Sequence, residues 1–187
     1  MKTEEIEERL IEYINSQSGI TTALGKLLFT SSDRIGQGGN GLVYRATIND
    51  KKIAIKFLVS DSERKQVRFK SEYFNTNYAR NELKNIVNMI HYGELKIQDN
   101  VVVPYIIMSC YSKNLKIYRK EKSEITEKDF LSLVKFLFST LNLIHEKSII
   151  HRDIKPENIL IDEYGKFVLS DFGIAHYDKD DFLIDNK

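Results

Sequence analysis

Cysteine is nearly absent. Cys110 is the only one in 187 residues, so no disulfide can form within the chain, and this fits a reducing compartment. Long apolar runs are missing too: the longest, Val101 to Met108, falls far short of the roughly 20 residues that cross a bilayer. The N-terminus reads Met-Lys-Thr-Glu-Glu, acidic and without the apolar centre of a secretory signal. Neither sign of charge prevails. The 28 basic and 27 acidic residues leave a net charge of +1, which gives no chain-wide attraction to nucleic acid or to an anionic membrane. Prolines number two while Ile and Asn abound, as in a bacterial gene of AT-rich base composition. These absences predict a cytoplasmic bacterial protein with no nucleic-acid and no membrane partner. What is present, 42% hydrophobic and 29% charged residues, is the mixture of a globular chain of one domain or a little more.

Ile6, Leu10, Ile11 and Ile14 recur at helical spacing behind Thr3 and a run of glutamates, which predicts a helix over 4–15 packed by a single stripe. The Ser/Thr/Gly-rich stretch 15–25 reads as a linker. Strand-like pieces follow at 28–35, 42–48 and 52–58, the last two joined by an Asn49-Asp50 turn. A polar helix is predicted over 62–80, then strands at 86–92 and 101–108. Pro104 within the latter argues for an edge strand, a bulge or a late strand start. The first half thus reads as a five-stranded antiparallel sheet with one helix inserted after the third strand. A long helix is predicted from Thr126 to Glu146, with Thr126 and Asp129 spaced as a capping box, and short strands at 149–150, 159–162 and 166–170.

Four motifs carry chemistry. Gly36-Gln37-Gly38-Gly39-Asn40-Gly41-Leu42-Val43 lets backbone approach a phosphate, and the β-rich run after it favours a hairpin over a helix N-terminus. A flexible glycine turn would carry the same letters. Ala54-Ile55-Lys56 places an ammonium between apolar neighbours, which calls for an anionic partner. Glu72 and Glu82 are the carboxylates on the next helix that could supply one, and Glu72, in mid-helix, is preferred. His151-Arg152-Asp153-Ile154-Lys155-Pro156-Glu157-Asn158 combines a base for a hydroxyl, a cation for a moving phosphoryl group and an oxygen ligand for Mg²⁺. Asp171-Phe172-Gly173, 18 residues after Asp153, puts a metal-binding carboxylate at the end of an apolar strand.

In order and spacing these four motifs resemble the protein kinase family, specifically the bacterial serine/threonine kinases of eukaryotic type, over roughly residues 31–175. The resemblance implies an α+β fold with an N-terminal sheet lobe and a helical C-terminal lobe: 1–26 an N-terminal helix and linker, 27–108 the N-lobe, 109–187 part of the C-lobe. It implies ATP and Mg²⁺ as cofactors and a protein hydroxyl as substrate, with ATP in a cleft between the sheet and the long second helix. Gly36, Gly38, Gly39, Gly41, Val43 and Ala54 would line the nucleotide, and Lys56, paired with Glu72, would hold its α- and β-phosphates. Met108 resembles the gatekeeper before a hinge that includes Ser109 and Tyr111. Asp153 would take the hydroxyl proton, Lys155 would assist, and Asn158 and Asp171 would hold Mg²⁺. Lys155 is similar to the serine/threonine branch; tyrosine kinases place Ala or Arg nearby. Small-molecule kinases of related fold tend to lack counterparts of Arg152 and Lys155.

Fourteen residues follow Gly173, Tyr177 carries their only hydroxyl, and no Ala-Pro-Glu occurs. The expectation is therefore a kinase truncated after Asp-Phe-Gly, with two readings open: a catalytic fragment, or a non-catalytic nucleotide-binding or regulatory module. A further expectation concerns the helix from Thr126. Its apolar residues cover most of its circumference, so a face left uncovered would drive self-association.

Overall fold

The computed structural model describes residues 3–38, 41–98, 101–122 and 124–177. Two compact units divide the chain: Met1–Lys70 with Met89–Cys110, and Ser71–Asn88 with Tyr111–Lys187.

The first unit opens with helix α1 (Thr3–Gln17), which buries Ile6, Leu10 and Ile14, one stripe at i, i+4, i+8. Seven strands follow: β1 (Gly19–Thr22), β2 (Gly25–Leu28), β3 (Arg34–Gly38), β4 (Gly41–Ile48), β5 (Lys51–Phe57), β6 (Met89–Lys96) and β7 (Val102–Ser109). They form one antiparallel sheet in the order β1-β2-β4-β5-β7-β6, with β3 also paired to β4. The five-strand expectation is thus corrected to seven, and the 15–25 linker is a helix end followed by a hairpin. Each of the two added strands buries little, Ile20 on one and Leu27 on the other, so no hydrophobic alternation betrays them. The reversals instead rest on backbone: Ser18, Gly19 and Gly25 have φ of 51°, 126° and 119°. The expected strand over 28–35 is likewise broken, by a 3-10 turn (Ser31–Asp33) capped by Thr30.

Asn49 and Asp50 both take positive φ (46° and 61°), the two-residue turn whose twist suits a hairpin between β4 and β5. Pro104 lies on an interior strand, between β5 and β6, not on an edge. It is tolerated because β5 ends at Phe57, opposite Tyr105; beyond that point one bond remains, from the Leu58 N–H to the Pro104 carbonyl at 2.9 Å.

Strand alternation gives the sheet two different faces. Leu42, Tyr44, Ile55, Phe57, Tyr105 and Ile107 share a core with α1, in which Phe29, Tyr44, Phe57 and Tyr105 pack ring to ring at 5.5–6.2 Å between centroids. The opposite face carries Val43, Lys56, Ala54 and Met108, joined across strands by the register Val43↔Lys56 and Ala54↔Met108.

Helix α2 (Glu63–Glu82) begins in the first unit and ends in the second. Its buried positions include Phe69, Glu72, Asn75, Thr76 and Ala79, a helical stripe with polar residues at its centre. The second unit continues with β8 (Lys113–Asn114), α3 (Leu115–Glu121), α4 (Glu127–Glu146), β9 (Ile149–Ile150), β10 (Ile159–Ile161), β11 (Phe167–Leu169) and β12 (His176–Tyr177). The Thr126 hydroxyl accepts the Asp129 N–H at 3.1 Å and starts α4, while the Asp129 carboxylate takes hydrogen bonds from Lys122 and Tyr118. Ala79, Leu83, Ile86, Phe136, Ile144, Ile159, Leu169 and Phe172 build the core of this unit. Among the described residues no helix is long and apolar enough to cross a membrane.

Candidate active site

The expected site residues fall into both units, and each group is compact in itself. In the first, Gly36 pairs with Val43, and Val43 with Lys56, across three adjacent strands. The two outer glycines of the loop have different physical grounds. Gly41 has φ 122°, and a Cβ there would lie 1.8 Å from the Phe57 carbonyl oxygen, so the fold itself demands glycine. A Cβ on Gly36 would meet only Val43, at an ordinary 3.7 Å. Among the described residues nothing requires glycine at 36, whose added Cβ would lie beside Val43 on the face that also carries Lys56. Gly38 closes the hairpin opposite Gly41. Gly39 lies outside the described residues. The Lys56 ammonium stands 5.7 Å above the centre of the Phe69 ring. Met108 is buried, pairing with Ala54 on one side and Met89 on the other, and Ser109 ends β7. The boundary between the units falls between Cys110 and Tyr111.

In the second unit Tyr111 is anchored by its phenol, which accepts the Asn88 N–H at 3.0 Å, and burial raises the phenol's pKa. Glu72, in this unit, is 4% exposed; a carboxylate so buried needs a cation or hydrogen bonds to stay charged. Glu82 ends α2.

Asp153, Lys155 and Asn158 form one hydrogen-bonded cluster. Lys155 Nζ donates to Asp153 Oδ2 at 2.7 Å. Asn158 Nδ2 donates to the same Oδ2 and to the Asp153 carbonyl, both at 2.9 Å. The Asn158 amide nitrogen is thus committed to Asp153. The Asn158 carbonyl in turn accepts Ser170 N–H at 2.9 Å and the Ser170 hydroxyl at 3.0 Å, which ties the loop to the residue before Asp171. An amide oxygen and a carboxylate on neighbouring, cross-linked segments are hard oxygen donors of the type Mg²⁺ takes. Arg152 and Asp171 both hold left-handed backbone, φ 64° and 66°, which costs on the order of 1–3 kcal/mol at a non-glycine residue and tends to persist where function needs it. Arg152 Nε donates to the Ile174 carbonyl at 2.6 Å.

His151 knits these pieces together. Its Nδ1 accepts the Asp153 N–H at 3.2 Å, so Nε2 carries the proton and donates to the Ser170 carbonyl at 2.9 Å. Phe172, fully buried, packs edge-on against the imidazole at 4.6 Å. Burial pulls the His151 pKa below its usual value, against the opposing influence of the Ser170 carbonyl and of Asp171 and Asp153. A histidine held neutral in the fold and free to protonate when unfolded favours unfolding in acid. Stability from this group is complete above pH about 6.5 and is lost as pH falls below that, toward the lower folded-state value. Melting temperature should therefore drop between pH 7.5 and 5.5, and the drop should shrink in His151→Gln. Parallel pH profiles of the two proteins would refute this role for His151.

Ser170 and Asn75 were not singled out in the sequence, yet both position the site. Asn75 Nδ2 donates to the Phe172 carbonyl at 3.3 Å, and its own carbonyl accepts the Tyr177 hydroxyl at 2.9 Å. The available signal was the spacing of Asn75, three residues after Glu72 and so on the same helical face.

A sheet unit bearing a glycine-rich strand and a strand lysine, and a second unit whose loop joins Asp153, Asn158 and Ser170 by hydrogen bonds, carry the four motifs singled out in the sequence. A model of the protein kinase domain matches residues 29–181, and the chain belongs to that family. It is 32% identical over 149 residues to the probable serine/threonine-protein kinase PknB of Lactococcus lactis, an alignment covering 75% of this chain and 22% of that protein. It is 31% identical to the serine/threonine-protein kinase PknK of Mycobacterium tuberculosis, covering 79% of this chain and 13% of the other. It is 32% identical to the serine/threonine-protein kinase CLA4 of Candida albicans, covering 80% and 15%. The chain thus spans less than a quarter of the length of these relatives.

Proposed function

We propose that this chain is the nucleotide-binding and catalytic portion of a bacterial, cytoplasmic serine/threonine protein kinase, which transfers the γ-phosphoryl group of ATP to a hydroxyl of a protein substrate. The observation that carries the reading is the Asp153–Lys155–Asn158 cluster tied through Ser170 to Asp171. Asp153 takes the substrate hydroxyl proton from a position fixed by Asn158 and Lys155. Lys155 brings positive charge beside the carboxylate, where a transferring phosphoryl group would also need it. The Asn158 oxygen and the Asp171 carboxylate would hold Mg²⁺, which supplies neutralisation of phosphate charge when bound. Gly36, Gly38, Gly39 and Gly41 would lie over the phosphates, with Val43, Ala54 and Met108 against the base and Ser109 and Tyr111 at the hinge. Lys56, held by Glu72, would bind the α- and β-phosphates. The apolar surface of α4 would favour self-association.

The test is MgATP binding by calorimetry on the wild-type chain and on Lys56→Met. A charge-assisted contact to phosphate is worth about 1.5–3 kcal/mol, so affinity should fall by roughly 10- to 100-fold. Equal affinity in the two proteins would remove Lys56 from the site. If Glu72 is the partner of Lys56, Glu72→Gln should weaken MgATP binding in the same direction, whereas Glu82→Gln should leave it within a factor of two. The reverse pattern would assign the pair to Glu82.

A further inference from the structure

Among the described residues the glycine-bearing strand β3 pairs only with β4, so what fixes its entry decides where Gly36 lies. The segment entering it touches α1 at two points. The Asn15 side-chain oxygen accepts the Ser31 N–H at 3.0 Å, and Glu7 Oε1 accepts a hydrogen bond from Arg34 Nη1 at 3.0 Å. Both ionic groups are only about a quarter exposed, 27% for Arg34 and 22% for Glu7. Arg34 pairs directly with Tyr44, whose ring is fully buried in the core that α1 caps. Among the described residues Arg34 Nη2 and the Tyr44 hydroxyl are both buried without a hydrogen bond, and Glu7 is the carboxylate seen paired with Arg34.

The register shifts between Arg34 and Gly36, with Ile35 as the extra residue. In an unbroken strand residues two apart share a face. The bulge breaks that rule: Arg34 turns to the α1 face, opposite Tyr44, and Gly36 turns to the other face, opposite Val43. The grip of α1 on Arg34 therefore acts one residue before the point where the strand is re-aimed.

We propose that α1 is a positioning element for the glycine-rich strand, acting through the Glu7–Arg34 pair, and that Glu7 and Arg34 are positioning residues for the nucleotide. The part concerning nucleotide rests on the kinase reading; the part concerning the strand does not. Bulges are stable in several geometries, and a fixed charge pair selects one of them.

The experiment uses the full 187-residue chain in four forms: wild type, Glu7→Gln, Arg34→Gln and the charge-reversed double variant Glu7→Arg/Arg34→Glu. Amide hydrogen exchange without nucleotide should speed up in residues 34–44 of the single variants and stay unchanged in β5 and β7. The Kd for MgATP should rise roughly three- to tenfold, the size expected for losing one charge-assisted hydrogen bond that is partly solvated. The double variant should recover both. Unchanged exchange over 34–44, or exchange accelerated everywhere alike, overturns the proposal, since the pair would then be idle or merely structural. Faster local exchange with an unchanged Kd overturns the positioning role. If the wild type binds no MgATP, the kinase reading fails, and exchange alone decides whether α1 fixes the strand.

Discussion

Asp153→Asn is expected to lower phosphoryl transfer by roughly 10²- to 10⁴-fold, the usual worth of a positioned general base. Starting from a kinase turnover of about 1–100 per second, the variant would be nearly silent. The structure explains why the effect should fall on chemistry and not on folding. Asp153 Oδ2 takes hydrogen bonds from Lys155 Nζ and Asn158 Nδ2. An asparagine can present its oxygen at the same place and keep both bonds, so the loop geometry survives. Its amide has no proton-accepting capacity comparable to a carboxylate. Nucleotide affinity should stay within about twofold, because the side chain replaced faces the substrate hydroxyl in the proposed roles. Single-turnover transfer from radiolabelled ATP, measured on the full-length protein beside calorimetric affinity, separates the two quantities. Turnover within a factor of two of wild type would exclude Asp153 as the base.

That asymmetry between residue identity and geometry runs through the chain. Asp153, Asn158 and Asp171 could be proposed from the sequence because the resembled kinase motifs carry those groups in that order. Their mutual placement was not. It depends on Ser170, an ordinary polar residue in any local pattern, which bridges Asn158 to the Asp-Phe-Gly segment by two hydrogen bonds. It also depends on left-handed backbone at Arg152 and Asp171, two residues whose types do not announce it. In the fold, the Asn49-Asp50 turn and the Thr126 cap were readable because each element's chemistry is local. The β1–β2 hairpin was not, since its polar composition matches a linker and its evidence is one buried side chain per strand. Helix α3 escaped for a related reason: seven residues with only Leu115 buried give no period to read. Pro104 was misplaced because the rule against proline inside a sheet assumes a complete ladder on both sides. The exception, a neighbour that stops one residue short, is a tertiary fact.

The chain of 187 residues is expected to self-associate at micromolar concentration through α4. The helix buries Phe136, Thr140 and Ile144 on one side. Phe130, Val134 and Phe138 stand four residues apart and so share another stripe, with Leu131 beside it, and all four are exposed, Phe138 by 78%. Such a run of large apolar groups is what the sequence pattern forecast for a helix apolar around most of its circumference. Each side chain left in water forfeits roughly 1.5–3 kcal/mol of burial. Because three of the four are only about half exposed, together they forfeit roughly 3–7 kcal/mol, a large share of the stability of a typical domain at about 5–15 kcal/mol. Pairing two such stripes would recover much of that loss. Sedimentation velocity should show a concentration-dependent dimer or larger species, and a hydrophobic dye should bind. Replacing Phe130 and Phe138 together by Lys should shift the distribution to monomer and abolish dye binding without lowering the melting temperature, because neither side chain contributes to the core. A wild-type chain that stays monomeric, unfolds cooperatively and binds no dye would show that this stripe is covered in solution.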